Sequence, residues 1–263
     1  MSAASLLRSI GRARGIAAMT VGTIALGTGA LVTTLGVADA SMWRRPPFRD
    51  ASKLVLLFNT LEEPGEALQR QRWSYPRIQL LRRDVRSLEH VANFTPTSVS
   101  LTGTELTEPL QGEVVSPEYF TVLGVTPLLG RTFAADEDRT EGEHPIAVLG
   151  YDLWQRRFAG AEGVIGRTIG VNRQVLTIIG VMPRGFRGIS DAAQVWIPTT
   201  MAPRLTYPEY LTTDQNFISV LGRLPDEGSL DALRAELATL GPAIARALPS
   251  EDDEPGATLS ASA

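Results

Sequence analysis

Residues Gly15 to Ala38 form an uncharged run of 24 positions, bounded by Arg12 and Arg14 before it and by Asp39, Arg44 and Arg45 after it. At a rise of roughly 1.5 Å per residue a helix over this run reaches about 36 Å, enough to cross a hydrocarbon core of about 30 Å with some tilt. No other stretch of the chain has that length and character, so the pattern predicts one transmembrane helix at 15–38 followed by a large soluble body. Ala18, Gly22, Ala25 and Gly29 fall on one helical face, where small side chains let a second helix approach closely. Ala38-Asp39-Ala40 also has the small-x-small form of a signal-peptidase site, but the apolar run exceeds the 7 to 15 residues usual for a signal peptide. A retained anchor is therefore the expectation, and cleavage after Ala40 is the alternative. Three basic residues precede the run and four follow closely, so charge asymmetry does not set its orientation.

The remaining chain is long enough to bury a core of its own. Beyond Ala40 it carries 22 basic and 28 acidic residues, which argues against a nucleic-acid partner. The absence of cysteine excludes a disulfide framework and a thiolate metal site. With two histidines, His90 and His144, and no Gly-x-Ser-x-Gly elbow, a serine-type triad has no support. There is no His-Glu-x-x-His and no phosphate-cradling loop, so no catalytic residue, cofactor or metal site is predicted. The acidic stretch Asp136–Glu143 lacks the spacing of a calcium loop and reads as an exposed acidic turn.

Hydrophobic periodicity predicts a buried strand at Lys53–Asn59, then an amphipathic helix from Tyr75 to His90 with Ile78, Leu81, Val85 and Leu88 inward and Arg82, Arg83 and Arg86 solvated. Residues 91–116 read as two strands joined by a turn. A short helix at 117–123, a strand at Ile146–Leu149 and a helical turn at Tyr151–Phe158 follow. Arg167–Val171 and Gln174–Val181 form an expected hairpin around Asn172-Arg173. Val195–Pro198 is a strand whose proline limits pairing. Phe217–Leu224 is a strand, and Ser229 caps a helix through Ala247 with Leu230, Leu233, Leu237, Leu240 and Ile244 inward. The final residues from Ala257 begin a further strand and stop before completing it. This order predicts an α+β body in which a βα unit is interrupted by a β-rich insertion.

Three stretches carry a resemblance. They are Tyr119–Phe133, with Leu123-Gly124-Val125-Thr-Pro127 and Gly130-Arg131; Leu149–Phe158, with Trp154, continuing to Gly166-Arg167 and Asn172; and Ile179–Phe186, with Gly180, Pro183 and Gly185, followed by Val195-Trp196-Ile197-Pro198. Together with Arg223-Leu224-Pro225 they resemble the MacB-like periplasmic core domain of ABC transporter permeases of the FtsX-like group. Gly130, Gly166, Gly180, Pro183 and Gly185 suit tight turns or close backbone approach, Trp154, Phe158, Phe186 and Trp196 offer apolar surface, and Arg131 and Arg167 bridge loops. The resemblance implies a cytoplasmic N-terminus at 1–14, a span at 15–38 in the inner membrane, and a periplasmic body. That body would comprise a porter-like part, in segments 50–90 and 210–263, carrying a sabre-like insertion at 91–209. It implies a non-catalytic protein whose partners are a separate ABC ATPase subunit, further permease transmembrane helices, membrane lipid and a second copy in a homo-oligomer. A full permease of this group has more spans, so the chain is expected to be a truncated or split permease with an incomplete second porter segment. Two readings of other classes stand beside this one: a stand-alone extracytoplasmic binding module, and an envelope hydrolase built on a carboxylate pair.

Overall fold

One strand organises the body. In the computed structural model, which describes residues 48–61, 69–102, 108–248 and 258–262, β3 runs for 13 residues from His90 to Thr102. Before it come β1 (Leu54–Leu61), β2 (Gln69–Gln71) and α1 (Tyr75–Asp84). After it come β4 (Glu108–Val115), α2 (Tyr119–Leu123), β5 (Leu129–Gly130), β6 (Ile146–Leu149), α3 (Tyr151–Phe158), β7 (Thr168–Val171) and β8 (Gln174–Val181). The chain closes with β9 (Val195–Pro198), α4 (Ala202–Leu205), β10 (Ser219–Arg223), α5 (Leu230–Ala247) and β11 (Thr258–Ser262). The expected membrane helix, including Ala18, Gly22, Ala25 and Gly29, lies outside the described residues. Among those described, no helix is long and apolar enough to cross a membrane.

The strands join in the order β11-β1-β10-β3-β4-β9-β6-β8-β5, with β2 against β1 and β7 against both β3 and β8. β3 pairs with β10 from His90 to Phe94, with β4 from Phe94 to Leu101, and with β7 at Leu101 and Thr102. Its side chains consequently enter three separate cores. Val91 packs with Val55, Leu57, Val220 and Leu259 against α1 and α5, whose Ile78, Leu81, Leu233, Leu237 and Ile244 are buried. Phe94 joins the aromatic core of Tyr119, Phe120, Phe186 and Trp196. Val99 and Leu101 join Leu153, Trp154, Ile169, Leu176 and Ile178. Each fully buried side chain of this size contributes roughly 1.5–3 kcal/mol.

The helix predicted from Tyr75 ends at Asp84, because Val85 turns to extended backbone (φ −69°, ψ 136°) while its side chain stays buried. The periodicity that ran on to His90 reflects burial rather than helix. β9 is a central strand, parallel to β4 and antiparallel to β6; Pro198 is its last residue, opposite Val115 of β4, while pairing with β6 is limited to Val195 and Trp196. The residues from Thr258 to Ser262 form a strand, antiparallel to β1 from Leu56 to Thr60. The β7–β8 hairpin turns at Asn172 and Arg173, both at positive φ (45° and 67°), the geometry of a tight primed turn. α5 begins as expected, with the Ser229 hydroxyl accepting from the Asp231 amide.

Candidate functional site

Two buried polar clusters flank the aromatic core. In the first, Glu113 of β4 is fully buried. One of its carboxylate oxygens accepts from the Tyr119 hydroxyl at 2.6 Å and from Trp196 Nε1 at 2.8 Å, and the other accepts from the Ser190 amide at 2.8 Å. The Tyr119 hydroxyl in turn accepts from the Ile189 amide at 2.8 Å. Burial and the adjacent Glu113 carboxylate push the Tyr119 phenol well above its ordinary range, which keeps it a donor. Gly188 sits at φ +73°, and a Cβ there would collide with the Glu113 carboxylate. Glu113 thus fixes the 183–194 loop to the sheet, and its buried carboxylate does not face solvent.

The second cluster joins α1 to β3 and to the turns after β4 and β9. Arg82 donates to Asn93 Oδ1 at 2.8 Å and lies 3.7 Å from Glu118. Asn93 is fully buried, donates through Nδ2 to Thr199 Oγ1 at 3.0 Å, and exchanges bonds with Ser116. Nearby, Asp138 accepts from the Thr200 amide at 2.8 Å. Desolvation raises the Asp138 carboxyl from 3.8 to about 6; the Thr200 hydrogen bond and Arg82 oppose that rise, and Glu118 adds to it. Arg82, expected on a solvated face, is therefore an inter-element link. Asp138, expected in an exposed turn, is half-buried.

The motif residues are distributed rather than gathered. Arg131 forms a two-pronged ion pair with Glu137 at 2.6 and 2.7 Å, and Glu137 also accepts from the Ala134 amide. The Arg167 guanidinium stacks 5.0 Å from the Phe158 ring. Trp154 donates to the Ala161 carbonyl at 3.0 Å. Trp196 and Phe186 pack together at 5.1 Å and join the Glu113 cluster. Gly130, Gly166 and Gly185 have positive φ, whereas Gly180 has room only for hydrogen because the Arg131 carbonyl lies against it. Pro183 starts the turn closed by the Phe186 amide, with Gly185 inside it.

Surface clefts open among the described residues. One of about 420 Å3 is lined by Leu101, Phe158, Ile169 and Val175. A second, of about 390 Å3, opens beside Arg82, Arg86, His90 and Glu118. A third, of about 360 Å3, lies among Arg49, Lys53, His90, Arg223 and Asp226. Among the described residues no group of three His, Asp or Glu side chains is placed to hold a metal ion. Neither Glu113 nor Asn93 was singled out in the sequence. The signal available for Glu113 was a lone carboxylate inside Gly112–Val115, a segment otherwise fit for burial.

The comparisons with known proteins point the same way as this scaffold. The family described as MacB-like periplasmic core domain matches residues 17–240. The fold is similar to the periplasmic region of MacB from Actinobacillus actinomycetemcomitans, at 17% identity and a TM-score of 0.56, covering 74% of this chain and 85% of that one. It is also similar to the extracellular domain of the noncanonic ABC-type transporter YknZ from Gram-positive bacteria, at 12% identity and a TM-score of 0.57, covering 80% of this chain and 100% of that one. No curated protein sequence matches significantly. The family match spans most of the chain, the solved folds agree with it, and the chain belongs to the MacB-like periplasmic core domain family.

Proposed function

We propose that this chain is a non-catalytic periplasmic element of an ABC-type export permease, held in the inner membrane by the single helix at 15–38. ATP hydrolysis on a separate subunit moves the permease helices, and those helices move this body. The porter-like part is assigned to 50–90 and 210–263 and the sabre-like insertion to 91–209. The motif residues Gly130, Arg131, Trp154, Phe158, Gly166, Arg167, Gly180, Pro183, Gly185, Phe186 and Trp196 serve to hold its shape, and Ala18, Gly22, Ala25 and Gly29 pack against a neighbouring helix.

The observation that carries this reading is the unbroken pairing of β3, which ties the α1/α5 core to the core around Trp154 through one hydrogen-bonded strand. A sheet that continuous resists bending between its ends, so displacement applied at one end appears at the other. The natural absence of cysteine allows clean labelling. Spin labels at Glu162 and Glu236, with the chain in membranes beside its permease and ATPase partners, are expected to keep a fixed mutual distance. Their distance to labelled lipid headgroups should change between ATP-bound and nucleotide-free states. An unchanged headgroup distance in every nucleotide state would overturn the proposal.

A further inference from the structure

We infer that Arg223 is the joint at which movement of the chain entering the body is passed to the sheet, an assignment that rests on the mechanical reading above. Arg223 ends β10 and is buried, yet no carboxylate contacts its guanidinium in the described residues. Its Nε donates to the Val122 carbonyl at 2.6 Å, and its Nη2 donates to the Arg49 carbonyl at 2.7 Å. Val122 lies in the last turn of α2, where unpaired carbonyls attract a cation. One side chain therefore clamps the lead-in segment Phe48–Lys53, the end of α2 and the central sheet. The guanidinium lines the cleft among Arg49, Lys53 and His90 while holding both carbonyls, and an aliphatic side chain in its place would make neither bond.

The surrounding contacts all serve the same attachment. The Arg49 amide donates to the Leu123 carbonyl at 3.1 Å, so Arg49 is held through both of its backbone groups. Gly124, at φ +67°, presses its Cα face against the Arg49 side chain, and a Cβ there would collide with it. The Leu224 amide donates to the Lys53 carbonyl at 2.9 Å, and Lys53 pairs with Asp226. The lead-in segment is thereby riveted to both sides of the β10 end within six residues. Load entering at Phe48 reaches β10 at Arg223 and passes to β3 through the Val91–Gly222 and His90–Arg223 pairs.

Single-molecule pulling on the full chain tests this, with cysteine handles at Ser41 and Glu162 for the load axis and at Glu162 and Glu236 for a control axis. Arg223→Lys keeps the charge but not the fork that reaches two carbonyls. Loss of one charge-assisted bond should lower the first rupture force on the load axis about twofold. It should also add an early extension of about 2 nm as six residues pay out at about 3.5 Å each. The control axis should be unchanged. Gly124→Ala, which displaces Arg49 while leaving Arg223 intact, should give the same early event. Equal weakening of both axes, or no early event in either variant, would overturn the joint. A joint that behaves as stated in a chain whose headgroup distance ignores nucleotide would fail only the export reading.

Discussion

Glu113 and Asp138 are both carboxylates carried below the surface, and they are held differently. Three donors from three segments converge on Glu113: the Tyr119 hydroxyl, the Trp196 indole and the Ser190 amide. For Asp138, one backbone amide and the neighbouring charge of Arg82 do not offset burial, and its carboxyl rises to about 6. Glu113 is an anchor held by its donors, whereas Asp138 is a link whose strength changes with pH.

The largest expected effect breaks the first member of the pair. Glu113→Leu strands an indole N–H, a phenol and a backbone amide in the core, and should lose about 3–5 kcal/mol of stability in urea unfolding. A loss below about 1 kcal/mol would mean that the loop is held by its apolar contacts alone. Gly188→Ala attacks the same anchor from the backbone side. Its positive φ and the collision with the carboxylate predict a loss of about 1–3 kcal/mol, of which the backbone-strain part should persist in a Glu113→Leu background and the collision part should not.

Asp138 sharpens the comparison through pH. Its folded pKa lies above its ordinary value of 3.8, so the folded state binds the proton more tightly than the unfolded chain does. The stability it contributes is complete below about pH 4 and is lost as pH rises through about 6, a change of roughly 1–3 kcal/mol given that the side chain is only half-buried. Asp138→Asn keeps an acceptor for the Thr200 amide and should remove this dependence, flattening the melting temperature between pH 4 and 7. An identical pH profile in the variant would remove Asp138 from the account.

These two carboxylates also show where sequence reasoning reached and where it stopped. The Asn172-Arg173 turn, the Ser229 cap and the Tyr151–Phe158 helix were legible because their signals are local: turn residues, a capping hydroxyl and 3.6-residue spacing. The end of α1 was not legible, because Val85 and Leu88 remain buried after the backbone has left the helix. Burial pattern reports on the core, and backbone conformation follows it only inside regular elements. The strand at Thr258 was expected to begin but not its partner, since it pairs with β1, some 200 positions earlier, and places Leu259 in the core. Glu113 could not be recognised as an anchor at all, because its partners Trp196 and Ser190 lie about 80 residues away and no local spacing encodes them. Charge clusters misled in the same way: Asp136, Glu137 and Asp138 are adjacent in sequence and differ in surroundings.

That adjacency gives the smallest effect and the finest test. Glu137, one residue before Asp138, is lowered by its hydrogen bond to Arg131, with the Ala134 amide adding to the same direction. Its contribution is present above the ordinary carboxylate range and fades as pH falls, the opposite slope to that of Asp138. Because Arg131 is more than half exposed, the pair is a surface bridge, and Arg131→Ala should lose about 0.3–1 kcal/mol at pH 7. The same variant should lose less than that as pH falls below the ordinary carboxylate range and Glu137 takes up its proton. In the double variant Arg131→Ala, Asp138→Asn the two changes should nearly add, because each carboxylate answers to a different partner. Strong non-additivity would instead show that residues 131–138 respond as one electrostatic unit, and the contrast between anchor and link would then belong to the whole turn rather than to Asp138.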